Sequence, residues 1–285
     1  MAPRRIWLCA DDYGIARGVN EAIRRLIALR RLNATSAMVN APSFTPEEAQ
    51  ALAALNREEN RAAIGLHVTL TGAFTPVSDG YTPLRSGHFP SISQLGRLAH
   101  LRRLSPARLV AEIGSQLRLF VEAFGRPPDF LDGHQHVHLL PQVREAFLKV
   151  AREAAPAAWV RQCGRPPRAR SVRDSKALLL DIMSVRFRAK AARLGVRTNP
   201  AFSGSYDFVA GADYPVIFPR FLAGQPDGGL IMCHPGFVDA ALTSLDPLTD
   251  LREREFAFFA SDAFPQVLAR NGVVLPHPGE NTSAA

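Results

Sequence analysis

The sequence predicts a single α/β domain built on a parallel sheet, and three observations carry that reading. Short apolar, strand-like runs alternate with helical segments almost throughout, the rhythm of strands joined by crossover helices. The chain of 285 residues is 47% hydrophobic, enough to bury one full core. Its conspicuous polar clusters fall at or just after the C-terminal ends of the apolar runs, where parallel α/β folds carry their sites.

In order, the pattern gives a strand over 4–10, a helix over 18–30, a strand over 34–40 and a helix over 45–56. A strand over 62–70, a helix over 105–124, a strand over 129–133, a helix over 141–154 and a strand over 158–162 follow. Two helix starts are marked chemically: Thr45 with Pro46 and Glu48, and Ser105 with Pro106, place a capping hydroxyl before a proline at the first helical position. Gly125 closes the second of these helices. Residues 71–92 and 163–173, rich in Gly and Pro with Ser or Arg, read as long loops. The C-terminal half suggests a helix near 175–195, a strand over 228–233 ending at His234, a helix over 249–261 and a last strand over 272–276. No repeat or linker divides the chain, so one domain is expected over 1–285, with a core of about 4–275.

The formal charge of +8 and pI near 10.1 would suit an anionic partner. Only Lys149, Lys176 and Lys190 are lysines, however, and the arginines are spread along the chain without a basic tail or a nucleic-acid-binding motif. Nucleic-acid binding is therefore not expected. No apolar run reaches the roughly eighteen residues of a membrane span, and Arg4 and Arg5 lead straight into a strand without the apolar region of a signal peptide. The expectation is a soluble cytoplasmic protein, with room for a homo-oligomer. Cys9, Cys163 and Cys233 are odd in number and lack metal-binding spacing, so they read as reduced thiols.

Asp11 and Asp12 follow the apolar run Ile6-Ala10 and precede Gly14. An isolated Asp-Asp pair is ordinarily a solvated turn or a helix cap, but two adjacent carboxylates at a strand end also invite a cation. In the run 64–71, His67 alternates with the apolar residues Ile64, Leu66, Val68 and Leu70 and so faces the polar side of its strand. The segment 131–138 is the strongest local feature: in an extended chain Asp132, His134, His136 and His138 share one side. Imidazoles with a carboxylate are the usual ligands of a divalent first-row metal that keeps positions open for water and substrate. His234, at the end of an apolar strand before Pro235-Gly236, is placed to face a pocket. His88, His100 and His277 sit in loop or helix contexts and receive no role.

Taken together, Ala-Asp-Asp-Tyr-Gly at 10–14, Val-Asn at 19–20, Thr-Ser-Ala-Met-Val-Asn at 35–40, Gly-Leu-His-Val-Thr-Leu at 65–70, Phe-Gly-Arg-Pro-Pro at 124–128, Leu-Asp-Gly-His-Gln-His-Val-His at 131–138 and Cys-His-Pro-Gly at 233–236 resemble the YdjC-like family of carbohydrate deacetylases. That family includes chitooligosaccharide deacetylases and hopanoid-biosynthesis-associated members. The resemblance covers roughly residues 4 to 275; Tyr13 stands where phenylalanine is commoner, and 163–230 matches poorly. It implies an irregular (β/α) barrel, polysaccharide-deacetylase-like, in a single domain. It also implies one divalent metal ion held by Asp12, His67 and His134, with Asp11 as general base and His234 as general acid. Asp132, His136 and His138 would then support the ligands or touch substrate. The expected substrate is an N-acetylated sugar, as oligosaccharide or glycolipid. The metal is magnesium as commonly assigned in the family, or zinc by ligand type. Two other readings use the same residues: a metal-dependent phosphoesterase of related barrel fold, and a non-catalytic sugar-binding protein.

Overall fold

A computed structural model describes residues 2–57, 59–79, 81, 87–166, 175–206 and 212–278. The strands are β1 (Arg4–Tyr13), β2 (Ala34–Ala37), β3 (Ala63–Val68), β4 (Phe130–Gly133), β5 (Trp159–Val160), β6 (Phe202–Ser203), β7 (Gly229–Cys233) and β8 (Val273–Val274). Between and after them lie α1 (Arg17–Ala28), α2 (Pro46–Ala54), α3 (Ile92–His100), α4 (Pro106–Phe124), α5 (Val143–Ala154), α6 (Ser175–Arg193), α7 (Tyr214–Leu222), α8 (Ala240–Leu245), α9 (Asp250–Ala260) and α10 (Ala263–Arg270). The sheet runs β5-β4-β3-β2-β1-β7-β6, every pairing is parallel, and β8 adds to the start of β1. Because β7 pairs with β1, the order from β6 through β1 to β5 is cyclic in the chain. The sheet curls until its two edges face one another.

Those edges meet through irregular bonds. Val160 and Thr198 form an isolated parallel bridge, and Phe202 N donates to Gly164 O at 2.9 Å. Between these contacts the side-chain amide of Asn199 stands in for a strand: its Oδ1 accepts from Gln162 N at 2.8 Å and its Nδ2 donates to Gln162 O at 3.1 Å. A two-residue β5 and a two-residue β6 are too short to close the barrel by an ordinary ladder, so a buried amide supplies the missing pairing. The curled parallel sheet agrees with the irregular (β/α) barrel that the resemblance implies.

The marked helix starts form as their chemistry dictates. Thr45 and Ser105 accept from Glu48 N and Arg108 N, prolines occupy the next position, and Gly125 ends α4 in the left-handed region at φ 67°. The differences lie elsewhere. The strand expected over 4–10 continues to Tyr13, so the acidic pair lies within β1. The loop expected over 71–92 gives way at its last residue to α3, which begins with a capping box between Ser91 and Gln94. α7 and α8 were not expected, and α10 follows α9 as a separate helix. α7 tolerates Pro219 in its interior, and α8 is started by Asp239, which accepts from Leu242 N. Residues 80 and 82–86 of the first expected loop and 167–173 of the second lie outside the described residues. Among the described residues, no helix is long and apolar enough to cross a membrane.

Asn199→Ala removes both edge bonds to Gln162 and a third, from Asn199 Nδ2 to Ala201 O at 2.9 Å. The buried Gln162 backbone is left unsatisfied, and the expected loss is about 2–3 kcal/mol in urea unfolding. A loss below about 0.5 kcal/mol would show that the closure carries no stability.

Candidate active site

Successive residues of a regular strand point to opposite faces, yet Asp11 and Asp12 line the same cavity. The reason is local. The β1–β2 register shifts between Ala10 and Tyr13, and Asp12 adopts φ 68°, a left-handed conformation that aspartate tolerates better than most residues. Gly14 follows at φ 104°, its N–H bonded to Asn20 Oδ1 at 2.6 Å, and a Cβ there would lie 2.8 Å from Met38 O. Both carboxylates are only 2% exposed.

His67 and Asp132 are register partners on β3 and β4. His67 Nδ1 lies 2.6 Å from Asp132 Oδ1 and 3.0 Å from Ser36 Oγ, which leaves Nε2 directed at Asp12 Oδ1, 3.4 Å away. His134, the first residue after β4, brings Nδ1 within 3.0 Å of the same oxygen. The candidate ligand atoms of Asp12, His67 and His134 all lie within 4.8 Å of one another and all three residues are buried. Among the described residues this joins the three strand ends whose residues the resemblance names as ligands.

The extended reading of 131–138 is corrected. β4 stops at Gly133, and 134–139 forms a 3₁₀ turn in which Gln135 (φ 52°) and His136 (φ 58°) are left-handed. The histidines are therefore dispersed and do not share a face. His134 turns to Asp12, while His136 lines the cavity wall with Nδ1 3.5 Å from Cys163 Sγ and its ring edge-on to Phe202. His138 is fully buried away from the cavity, donating from Nε2 to Arg161 O at 3.0 Å between Phe147 and Phe187. It is not placed to touch substrate. Gly133 makes the turn feasible, since a Cβ there would sit 3.0 Å from His138 Nδ1.

Two buried arginines complete the site. Arg161, just after β5, grips Asp11 with Nη1–Oδ2 and Nη2–Oδ1 contacts of 2.6 Å each, and Nη2 also lies 2.6 Å from Asp132 Oδ2 and 3.1 Å from Cys9 Sγ. Arg252, from α9, places Nη2 2.7 Å from Asp12 Oδ2 and 2.6 Å from Asp246 Oδ2. One turn further along α9, buried Glu255 accepts from His234 N at 2.5 Å and from Tyr206 Oη at 2.9 Å. His234 follows β7 and lines the cavity, but the carboxylate bonded at its backbone is Glu255; Asp132 belongs to His67 and Arg161. Arg161 could have been found by the rule that found the histidines, a polar residue at the end of an apolar strand. Arg252 and Glu255 lie inside a helix, where only their i, i+3 spacing on one face marks them.

The electrostatics follow from burial against charge. Burial opposes ionisation of Asp12, but Arg252, His134 and His67 hold it well below the usual carboxylate range. Asp132 is likewise depressed, burial being outweighed by Arg161 and His67. His67 is raised to about 10 against its own burial, chiefly by Asp132. Burial lowers His136 well below its ordinary value, with the charges of His138 and Arg161 adding to it, and takes His138 down to about 3. His234 is lowered by burial and by Arg252, with Asp12 and Asp11 pulling the other way. Burial pushes Glu255 up to about 7.

The donor set fits a metal. Among the described residues, four carboxyl groups, Asp11, Asp12, Asp132 and Asp246, face two guanidiniums, and this surplus of negative charge favours a cation. Asp12, His67 Nε2 and His134 Nδ1 would hold it, with Asp132 fixing the His67 ring through Nδ1. The adjoining cavity, about 270 Å³, is lined also by Ile92, Gln135, Ser205, Met232 and Leu248.

Comparisons with known proteins agree with this architecture. A chitooligosaccharide deacetylase of Serratia marcescens is 31% identical over 243 residues, 82% of each chain. One of Citrobacter koseri is 29% identical over 255 residues, 84% of this chain and 88% of its own. Among solved structures, a protein from Enterococcus faecalis V583 assigned provisionally to cellobiose-phosphate cleavage superposes with a TM-score of 0.72 at 21% identity, covering 98% of this chain and 99% of its own. A peptidoglycan N-acetylglucosamine deacetylase shares the fold more distantly, with a TM-score of 0.52 at 10% identity over 99% of this chain and 89% of its own. The profile of the YdjC-like protein family matches residues 5–270. On that match, which spans nearly the whole chain, the protein belongs to the YdjC-like family.

Proposed function

We propose that the protein is a metal-dependent hydrolase that removes the acetyl group from an N-acetylated sugar and releases acetate. The observation that carries this reading is the cluster of Asp12, His67 and His134 beside a second carboxylate, Asp11, in one cavity at the strand ends. The relatives named as chitooligosaccharide deacetylases support the sugar amide as substrate class.

Asp12, His67 and His134 would hold one divalent ion. Bound there, it supplies Lewis-acid polarisation of the amide carbonyl and eases ionisation of water near neutral pH. Asp11 takes the proton of the attacking water. Its Oδ1 is crowded by Arg161, Ser36 and Cys9, whereas Oδ2 is hydrogen-bonded by Arg161 Nη1 alone among the described residues, so Oδ2 receives the proton. Arg161 keeps that carboxylate aimed. His234, at the end of the neighbouring strand β7, protonates the departing amine, and Glu255 holds its backbone through the N–H. Two imidazoles favour zinc over magnesium by ligand type.

A two-metal phosphoesterase needs a second set of free ligands about 3.5–4 Å from the first ion. The second acidic cluster here, Cys9 with Asp11 and Asp132, is spanned by the Arg161 guanidinium. That disfavours the phosphoesterase. The non-catalytic reading has no use for Asp11 and His234 lining the same cavity as the ligands.

His134→Ala should lose bound metal, measured by elemental analysis, together with acetate release from N-acetylated oligosaccharides. Full metal occupancy in that variant would remove His134 from the ligand set. The same analysis with add-back distinguishes zinc from magnesium.

Asp11→Asn and His234→Gln should each retain metal yet lose on the order of 10²–10⁴ in turnover. Near-normal turnover in either variant would exclude the corresponding proton-transfer role.

Glu255 supplies a pH prediction. Its folded pKa, about 7, lies above the ordinary 4.5, so its contribution to stability is full below about pH 4.5 and is lost as pH rises through about 7. Glu255→Gln keeps the size and can keep both hydrogen bonds without the buried charge. Relative to wild type it should gain on the order of 2–3 kcal/mol between pH 5 and pH 8 in urea unfolding. A difference independent of pH would show that Glu255 does not titrate in this range.

A further inference from the structure

Among the described residues, ten large hydrophobic side chains stand exposed, and four of them belong to α6: Leu178 (37%), Leu179 (56%), Ile182 (53%) and Val185 (53%). One face of this helix is already committed to the core, with Leu180, Asp181, Ser184, Phe187 and Ala191 buried. The exposed residues form a second apolar stripe: Leu178, Ile182, Val185, Ala189 and Ala192 recur at steps of four and three along the outer side. Scattered exposed hydrophobics need no explanation, but a continuous stripe over four turns does.

Charge selects the occupant. Exposed Arg186 and Arg193 continue the row that starts at Leu179, seven residues apart, so they flank the stripe. The only acidic side chain of α6 is Asp181, which is buried and paired with Arg165 at 2.8 Å. A second copy of the chain docked parallel through this face would bring like arginines together, and docked antiparallel would oppose Arg193 to the Leu178–Leu179 turn. Within α6 itself, neither arrangement offers the arginines a carboxylate. An anionic lipid surface satisfies both features, taking aliphatic side chains into the headgroup boundary and arginines onto phosphates.

The opposite, buried side of the same helix walls a cavity. Ala177 and Leu180 of α6 and Arg220 and Phe221 of α7 line a second cavity of about 260 Å³, and Ser205 lines both this cavity and the catalytic one. Val216, one turn before Arg220 on α7, is 55% exposed. We propose that the outer face of α6, from Leu178 to Arg193, docks the protein on the surface of an anionic bilayer. The docking stands apart from the deacetylase reading.

The test is co-sedimentation of the full chain with phosphatidylcholine vesicles containing about 30 mol % phosphatidylglycerol, and with phosphatidylcholine alone, at low and high salt. Wild type should pellet with the anionic vesicles, less at high salt, and little with the neutral ones. The double variant Ile182→Asp with Val185→Asp should bind at least about tenfold more weakly while releasing acetate from a soluble N-acetylated oligosaccharide at the wild-type rate. Arg186→Gln with Arg193→Gln should weaken binding about tenfold and flatten its salt dependence. Wild type remaining in the supernatant with anionic vesicles overturns the proposal, as does binding unchanged in the aspartate variant. Sedimentation velocity supplies a third refutation, a wild-type dimer dissociated by the same aspartates, which would assign the face to self-association. Loss of acetate release in wild type with docking intact would instead count against the deacetylase reading alone.

Discussion

The Arg161 guanidinium is the pivot of the site, because three groups on two strands meet it directly and His67, on a third, takes its position through one of them. It is wholly buried, and a buried charge is tolerable only when opposite charges pair it. Asp11 meets it in bidentate fashion from β1, Asp132 from β4, and the Cys9 thiol lies against it. Asp132 then has one oxygen left for His67, which fixes that ring and leaves Nε2 directed at Asp12. The carbonyl of Arg161 itself accepts from His138, so the turn after β4 is anchored to the same residue. Removing the guanidinium would strand two buried carboxylates, and the expected consequence is loss of the whole arrangement and not of one contact.

Arg252 plays the matching part from outside the barrel. It reaches Asp12 through the oxygen that the histidines do not face, while its backbone carbonyl accepts from Gly236 N at 3.1 Å. α9 is thereby tied both to the acidic pair on β1 and to the turn after His234, and Glu255 adds a third tie one turn later. The strand ends that line the cavity are held by a helix far along the chain. This explains why Cys-His-Pro-Gly alone says little about His234: its environment is set by residues about twenty positions downstream.

How much of this was legible in the sequence depends on whether a feature is local. Hydrophobic alternation and capping chemistry give most strands and helices through α5, and the rule that polar residues at strand ends form a site leads to Asp11, Asp12, His67, His134 and His234. What stayed hidden was decided by three-dimensional packing. The left-handed turn at Gln135 and His136 breaks an alternation that looks extended on paper, and only Gly133 hints at it. Arg161 and Arg252 were lost among thirty-four basic residues whose spread suggested a diffuse surface charge. Short β6 and the amide closure at Asn199 carry no periodicity at all.

The same contrast explains why the acidic pair, conspicuous in one dimension, meets two different environments in three. Adjacent aspartates on a flat strand would part to opposite faces. The register shift and the left-handed Asp12 turn both inward, and the two arginines then separate their roles. Arg161 takes both oxygens of Asp11 and keeps it beside the Asp12, His67 and His134 cluster without joining it. Arg252 takes only the outer oxygen of Asp12 and leaves Oδ1 to the histidines. The different surroundings of two identical neighbours thus come from which guanidinium each one meets, a property of the closed barrel and of α9 and not of the dipeptide.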